Sequence, residues 1–286
     1  MIVASFLSDA FLTSRNQLNI LRQVSINGVL ALGMTFVIIA GGIDLSVGGV
    51  LALAGVTIAR LQHLPALAFA AAVLVGFVFG LANGIVTAKG KVQAFIVTLG
   101  ASAVAEGLAL LFSDGRPIFV SSPVLRWVGN GHVLFVPAPV AILLLLALAS
   151  HLTLSRSVFG TYVYAIGGNA EAARLSGINT TLHTIATFAL SGVMAGVGGI
   201  IMVGRITTGD PSVGAGLALD AIAATVIGGT RLGGGAGTIG GSLLGAFIIG
   251  VLNNVFNILN VSPYYQEVAK GVIIVGAVYL GLRRSR

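Results

Sequence analysis

Polar side chains recur at helical spacing inside otherwise apolar stretches of this sequence. Thr98, Ser102 and Glu106 follow one another at four-residue intervals, as do His183, Thr187 and Ser191, and shorter rows pair Asn83 with Thr87 and Asn253 with Asn257. A four-residue step keeps the members of a row on one helix face. Converging faces of this kind would line a hydrated path for a neutral, hydroxyl-rich solute, with Asn83, Ser102, Glu106, Ser191 and Asn253 as its candidate residues. Interhelical hydrogen bonding accounts for the same rows without any path. Glu106 is an ionisable group that costs roughly 2.5–3.5 kcal/mol at the centre of a membrane helix, so it is expected to point into a bundle.

Other charges have simpler readings. Asp44, in Gly41-Gly-Ile-Asp-Leu-Ser-Val-Gly48, stands where a helix restarts after a glycine break, and Asp220 opens a short apolar segment. Both read first as helix caps. A broken helix at membrane depth, as at Asp220, is also how transporters build binding sites.

Catalytic patterns are missing from the sequence. Gly90-Lys91 is followed by Val92 and lacks the Ser or Thr of a phosphate-cradling loop, and no His-Glu-x-x-His occurs. The glycine-rich run Gly228-Gly-Thr-Arg-Leu-Gly-Gly-Gly-Ala-Gly237 follows no strand and reads as a turn between membrane segments. Gly100-Ala-Ser-Ala103 has the form of a serine-protease string, but its base would have to be His151 or His183, at the ends of spans. The sequence contains no cysteine, so thiolate metal sites and disulfides do not arise, and no metal site is expected.

The elements that must position these residues are membrane helices. Of the residues, 56% are apolar and 8% charged, with a mean hydropathy of +1.04, whereas soluble domains carry roughly 25% charge. Runs long enough to cross about 30 Å of hydrocarbon fall at 64–88, 94–112, 133–149, 182–203 and 236–260. Shorter or less uniform runs fall at 24–40, 45–61 and 268–282, and 216–229 is a short span or a re-entrant segment. These runs are continuously apolar, which excludes the alternating pattern of a barrel. The predicted fold is an all-α polytopic membrane bundle of about nine helices, one permease domain over residues 1–286, with 1–23 as a connector.

The formal charge of +7 reads as a topology signal and not as nucleic-acid binding. Nine spans put Lys89, Lys91, the basic residues from Arg156 to Arg174, Arg231 and the tail residues Arg283, Arg284 and Arg286 on one side, which the positive-inside rule makes cytoplasmic. The polar stretch 153–180 then lies in the cytoplasm. Its Glu171-Ala-Ala-Arg174 is helix-prone and serves nothing in lipid, which points to a docking surface for a soluble partner. An odd span count leaves the amino end outside, and the connector would naturally follow an earlier helix.

Glycines set how closely the helices approach. Gly76, Gly80 and Gly84, then Gly237, Gly241 and Gly245, then Gly192 and Gly196, repeat at four-residue spacing and form packing grooves. Such grooves serve contacts within one subunit or between subunits.

Five strings resemble the ribose-type permease family of ATP-binding-cassette importers: Gly42-Ile-Asp-Leu-Ser-Val-Gly48, Lys91-Val-Gln-Ala-Phe-Ile-Val-Thr-Leu-Gly100, Tyr164-Ala-Ile-Gly-Gly-Asn-Ala-Glu-Ala-Ala-Arg-Leu-Ser-Gly-Ile178, Asp220-Ala-Ile-Ala-Ala-Thr-Val-Ile-Gly-Gly-Thr230 and Val261-Ser-Pro-Tyr-Tyr-Gln266. The resemblance runs nearly end to end. It implies a multi-pass subunit of the bacterial inner membrane, paired with a second copy or a sister permease, bound to cytoplasmic ATPase subunits and fed a small sugar by a periplasmic binding protein. It implies ten helices in the family, so that this sequence lacks the first. It further implies that Asn169, Glu171, Ala172, Ala173, Arg174 and Gly177 belong to the ATPase-coupling segment, Gly177 ending a short helix as its C-cap. ATP and magnesium would be used by the partner ATPase, with no cofactor bound by this chain. The alternatives are a permease for another small solute, such as branched-chain amino acids, and a secondary transporter. A secondary transporter is expected to carry ionisable groups deep in several spans, where Glu106 is the one clear case.

Overall fold

The computed structural model describes residues 11–284. Residues 1–10 of the expected connector and Arg286 of the basic tail lie outside them. The described chain is all-α apart from four two-residue strands. Six of its helices are long and apolar enough to cross a membrane. These are α1 (Ser14–Ile39), α3 (Pro65–Ala88), α4 (Ala94–Ser113), α6 (Ala138–Arg156), α9 (Thr180–Ile206) and α11 (Ile239–Ile258). Two shorter apolar helices, α2 (Val47–Arg60) and α10 (Leu217–Ile227), sit among them, and α12 (Pro263–Arg284) closes the chain. Outside the spans lie α5 (Pro123–Asn130), α7 (Val158–Gly168) and α8 (Ala170–Leu175).

Burial ranks the helices. The most apolar window of α1 is 89% buried, against 22% in α3 and 17% in α4, so α1 is the central post, and α3 and α4 turn most of their surface outward. Phe36, Leu32, Met34 and Ile38 of α1 anchor the largest core cluster, which reaches Leu51 and Val50 of α2, Leu143 of α6, Met194 and Ile201 of α9, and Ala221 of α10. The glycine rows set the close seams. A Cβ on Gly76 would run into the carbonyl of Gly192, one on Gly80 into the backbone of Phe188 and Ala189, and one on Gly245 into the carbonyl of Ala224. These grooves lie within the chain, joining α3 to α9 and α10 to α11.

Two predicted boundaries are corrected. The connector expected up to residue 23 is helical from Ser14, because Thr13 accepts a hydrogen bond from the Asn16 N–H (3.4 Å) and Ile20 and Val24 already meet the core. Asn16 also exchanges side-chain amide bonds with Asn254 of α11. The span expected at 133–149 begins at Ala138 and runs to Arg156, so residues 153–156 are helical and do not belong to the polar loop. The preceding residues form a tight hairpin of β2 (His132–Val133) and β3 (Val136–Pro137), turned at Leu134 with φ +56°. At the same end of the bundle β1 (Ile118–Phe119) pairs antiparallel with β4 (Thr208–Gly209), tying the segment after α4 to the end of α9.

Candidate translocation and coupling sites

The break between α1 and α2 carries a buried polar hub. Ala40 and Gly41, the latter with φ +86°, end α1. Asp44 is fully buried; its Oδ1 accepts from the Ser46 N–H (3.0 Å) and the Ser46 hydroxyl (2.6 Å), and its Oδ2 from the Ser191 hydroxyl of α9 (2.8 Å). Asn83 of α3 donates to the Ser46 hydroxyl at 2.8 Å. Thr98 of α4 reaches the carbonyl of Ile43 at 3.2 Å. Ser46 and Ser191 thus bond the carboxylate itself, Asn83 joins through Ser46, and Thr98 holds the neighbouring Ile43 carbonyl. Asp44 does not cap α2: Ser46 holds that position, and Asp44 makes an Asx-type turn two residues before it. Asn83 and Ser191, both expected on a path, spend an amide N–H and a hydroxyl on this hub.

The other path candidates lie elsewhere. Ser102 donates to Glu106 Oε1 at 2.9 Å, beside Gly49 of α2. Glu106 is exposed, so the expectation that it points into the bundle is corrected. The reason is geometric: α4 packs its Thr98, Ala105 and Ala109 side on α2, where Gly49 lies against the Ser102 carbonyl, and the Glu106 carboxylate projects from the edge of that contact.

Asn253 lines a cavity of about 190 Å³ with Gln23 and Asn27 of α1, Arg205 of α9, Asp220 of α10 and Lys270 of α12. Asp220 does not cap α10 either. Gly216 is the N-cap, and Asp220 stands in the first turn, where Lys270 Nζ lies 3.1 Å from both carboxylate oxygens and Asn253 Nδ2 is 3.3 Å from Oδ2. The three groups of path candidates do not converge within one chain.

The polar stretch after α6 folds into two short helices with complete local capping. The Ser157 hydroxyl accepts from the Gly160 N–H (3.2 Å) to start α7, and the Asn169 Oδ1 accepts from the Ala172 N–H (2.9 Å) to start α8. At the end of α8 the Ile178 N–H reaches the Ala173 carbonyl and the Gly177 N–H the Arg174 carbonyl, both at 3.1 Å. These two bonds form a Schellman closure. Ser176 is the C-cap and Gly177, with φ +86°, is the residue after it. Along α8 Ala173 is buried, Leu175 is 74% exposed, and Glu171 and Arg174 pair at 2.6 Å in solvent. That pairing holds the Glu171 carboxyl below its ordinary range and raises the Arg174 guanidinium above its own.

Behind this exposed helix, α7 is bolted to the bundle. Tyr164 donates its hydroxyl to the Gly237 carbonyl at 2.6 Å, and burial pushes that phenol's pKa up, keeping it a donor. Gly167 packs on the Ile39 carbonyl, which accepts from the Gly235 N–H (2.9 Å). Phe159 stacks on His183 at the start of α9, with Tyr162 edge-on to the same ring. Through α7, the chain leading into α8 is thus connected to the ends of α1 and α9 and to the glycine-rich loop before α11. Sequence reading missed Tyr164, Phe159 and Ser46; the clustering of aromatic residues within a polar stretch was the signal for the first two.

The family model described as the permease component of branched-chain amino acid transport systems (BPD_transp_2) matches residues 16–278. The ribose import permease of Haemophilus influenzae is 42% identical over 293 residues, covering 99% of this chain and 91% of that protein. The D-allose transport system permease of Escherichia coli (strain K12) is 38% identical across 98% of this chain and 87% of its own length. The xylose transport system permease of the same strain is 34% identical across 97% and 87%. No solved structure matches. The apolar helices, the broken segments at Asp44 and Asp220 and these nearly full-length similarities lead to one assignment: the chain belongs to the BPD_transp_2 permease family and, within it, to the ribose-type permeases of ATP-binding-cassette importers.

Proposed function

We propose that this chain is the membrane-spanning subunit of an ATP-driven importer that moves a monosaccharide or related polyol across the bacterial cytoplasmic membrane. The observation that carries the reading is α8: a capped, solvent-exposed helix fixed through Tyr164 and Gly167 to the ends of two bundle helices. Such an element suits a groove in a soluble ATPase. The nearly full-length relatives are ribose, allose and xylose permeases, which supports a sugar as the solute.

In this reading α2, α10 and α12 join the six long helices as nine crossings, and Lys89 and Lys91, the basic residues from Arg156 to Arg174, and Arg231 lie in the cytoplasm. Two permease copies, or this chain and a sister permease, face each other across α4, whose Ser102 and Glu106 line the path between them. A periplasmic binding protein delivers the sugar at the end that carries the β-hairpin. ATP and magnesium act on the partner ATPase, and nucleotide binding biases the permease pair between inward-open and outward-open states. Affinity purification of the tagged chain from its native membrane, followed by mass spectrometry and an ATPase assay, tests the assignment. Co-recovery of a cassette ATPase and a sugar-binding protein is the expected result. A chain that purifies alone, with uptake driven by a proton gradient and indifferent to ATP, overturns it.

A further inference from the structure

The cavity at Asn253 is polar out of proportion to its surroundings. Eight of its twelve lining residues carry polar side chains, in a chain where 8% of residues are charged. It lies in the half of the bundle away from α8, between the first halves of α1 and α12 and the last turns of α9 and α11.

Hydrogen-bond accounting separates what is satisfied there from what is not. Asp220 and Lys270 satisfy each other, and Asn253 spends one amide hydrogen on Asp220. Asn253 is 5% exposed, and its Oδ1 is buried without a partner. Asn27, 3% exposed, makes no side-chain hydrogen bond among the described residues, nor do Gln23 and Arg205. A buried polar group left unpaired costs about 1–3 kcal/mol, so the Asn253 oxygen is an expense that packing alone does not justify, and Asn27 offers its unbonded amide beside it.

The chemistry of the unpaired atoms selects a ligand class. Two amides and a third, Gln23, offer both acceptors and donors, while Arg205 offers donors only. An anion would meet the Asp220 carboxylate and the Asn253 carbonyl oxygen. A cation would meet Lys270 and Arg205. A hydroxyl donates and accepts at once, and several on one small ring would satisfy this mixed set.

We propose that the cavity is a binding site for a neutral, polyhydroxylated molecule of monosaccharide size, held by Asn27, Asn253 and Arg205. The inference rests on the proposed importer reading, and places a sugar-holding station inside a single permease subunit, on the side away from the coupling helix.

The absence of cysteine from the sequence gives a clean test. Ala215 is a small, uncharged wall residue of the cavity. In the complete importer reconstituted in nanodiscs, Ala215→Cys is labelled with a small charged methanethiosulfonate, alone and with D-ribose, D-allose, D-xylose or inorganic phosphate. The expected result is labelling slowed about threefold or more by at least one sugar at saturation, following site occupancy, and not by phosphate. Adding Asn253→Leu, or separately Asn27→Leu, removes the protection, and either variant that assembles suffices. No labelling, labelling indifferent to all three sugars, or equal protection by phosphate overturns the site. ATP-driven uptake of the same sugars by the same preparation is scored separately. Uptake without protection defeats the cavity site alone, whereas loss of uptake of every sugar defeats the substrate reading.

Discussion

The Ser191 hydroxyl donates to Asp44 Oδ2 at 2.8 Å, joining the middle of α9 to the break between α1 and α2. It is one of three hydrogen bonds to a carboxylate with no counter-cation within bonding distance among the described residues. Ser191→Ala leaves Oδ2 unpaired in a fully buried site, and a cost of about 1–3 kcal/mol is expected. Detergent-solubilised Ser191→Ala should melt below the parent chain, and Asn83→Leu, one bond further out, should lose less. Equal melting of Ser191→Ala and parent would show that the hub carries no stability.

The Asp220–Lys270 pair ties α12 to α10. Lys270→Met strands a carboxylate that is nearly fully buried, and removing one partner of such a pair costs about 3–5 kcal/mol. The double variant Asp220→Asn with Lys270→Met removes both charges and should recover most of that loss. Thermal melting of the two variants side by side checks the sign: a double variant no better than Lys270→Met contradicts the pairing.

Glu171→Lys and Arg174→Glu each break the ion pair on the exposed face of α8. Both should abolish uptake while membrane insertion stays at the parent level, as read by substrate accumulation and membrane fractionation. Normal uptake with retained ATPase co-purification in both variants removes α8 from the coupling surface. Because Arg174 holds the Glu171 carboxyl below its ordinary value of 4.5, the pair is intact above that pH and is lost only as pH falls through the lowered value. Coupling at this contact should accordingly be flat between about pH 5.5 and 8, as measured by ATPase stimulation across that range.

Gly177→Ala puts a Cβ at φ +86°, where an L-residue pays about 1–2 kcal/mol. The space around it is open, so the cost is backbone strain and not a clash. The expected outcome is a chain of unchanged melting temperature whose α8 exchanges its amide hydrogens faster and whose ATPase coupling drops. Unchanged exchange across residues 170–178 would count against the Schellman closure.

Gly76→Leu inserts a side chain where α3 and α9 touch backbone to backbone. Overpacking costs about 1–3 kcal/mol or more, so poor folding in membranes is expected. Gly100→Ala, whose added carbon meets nothing within 4 Å, serves as the matched control in the same expression and melting assay.

The parts of this architecture that were legible in the sequence are those carried by local signals. Continuous apolar runs located α3, α4, α9 and α11 to within a few residues, because membrane helices satisfy their backbone internally and need nothing from their neighbours. Gly177 marked the end of α8 for an equally local reason. The hub at Asp44 was not legible, since its partners Asn83 and Ser191 lie 39 and 147 positions away and only packing brings them together. Glu106 shows a second limit: spacing places Ser102 and Glu106 on one face of α4 but does not say whether that face looks inward. At residues 132–137 the apolar Val133-Leu-Phe-Val136 imitates a span, and Pro137 and Pro139 were the available warning that a helix begins there and not earlier.

The central helix is also a lever. Ile39, at one end of α1, is held by Gly235 and packed on Gly167 beneath the exposed helix α8, while Asn27 lines the polar cavity twelve residues away. At 1.5 Å per residue that arm is about 18 Å long, so each degree of tilt imposed at Ile39 carries Asn27 by about 0.3 Å. A rotation of about ten degrees moves it by about 3 Å, the length of one hydrogen bond. A soluble motor pressing on one six-residue helix would thus set, through a single stiff rod, whether a hydroxyl at the far side is within reach.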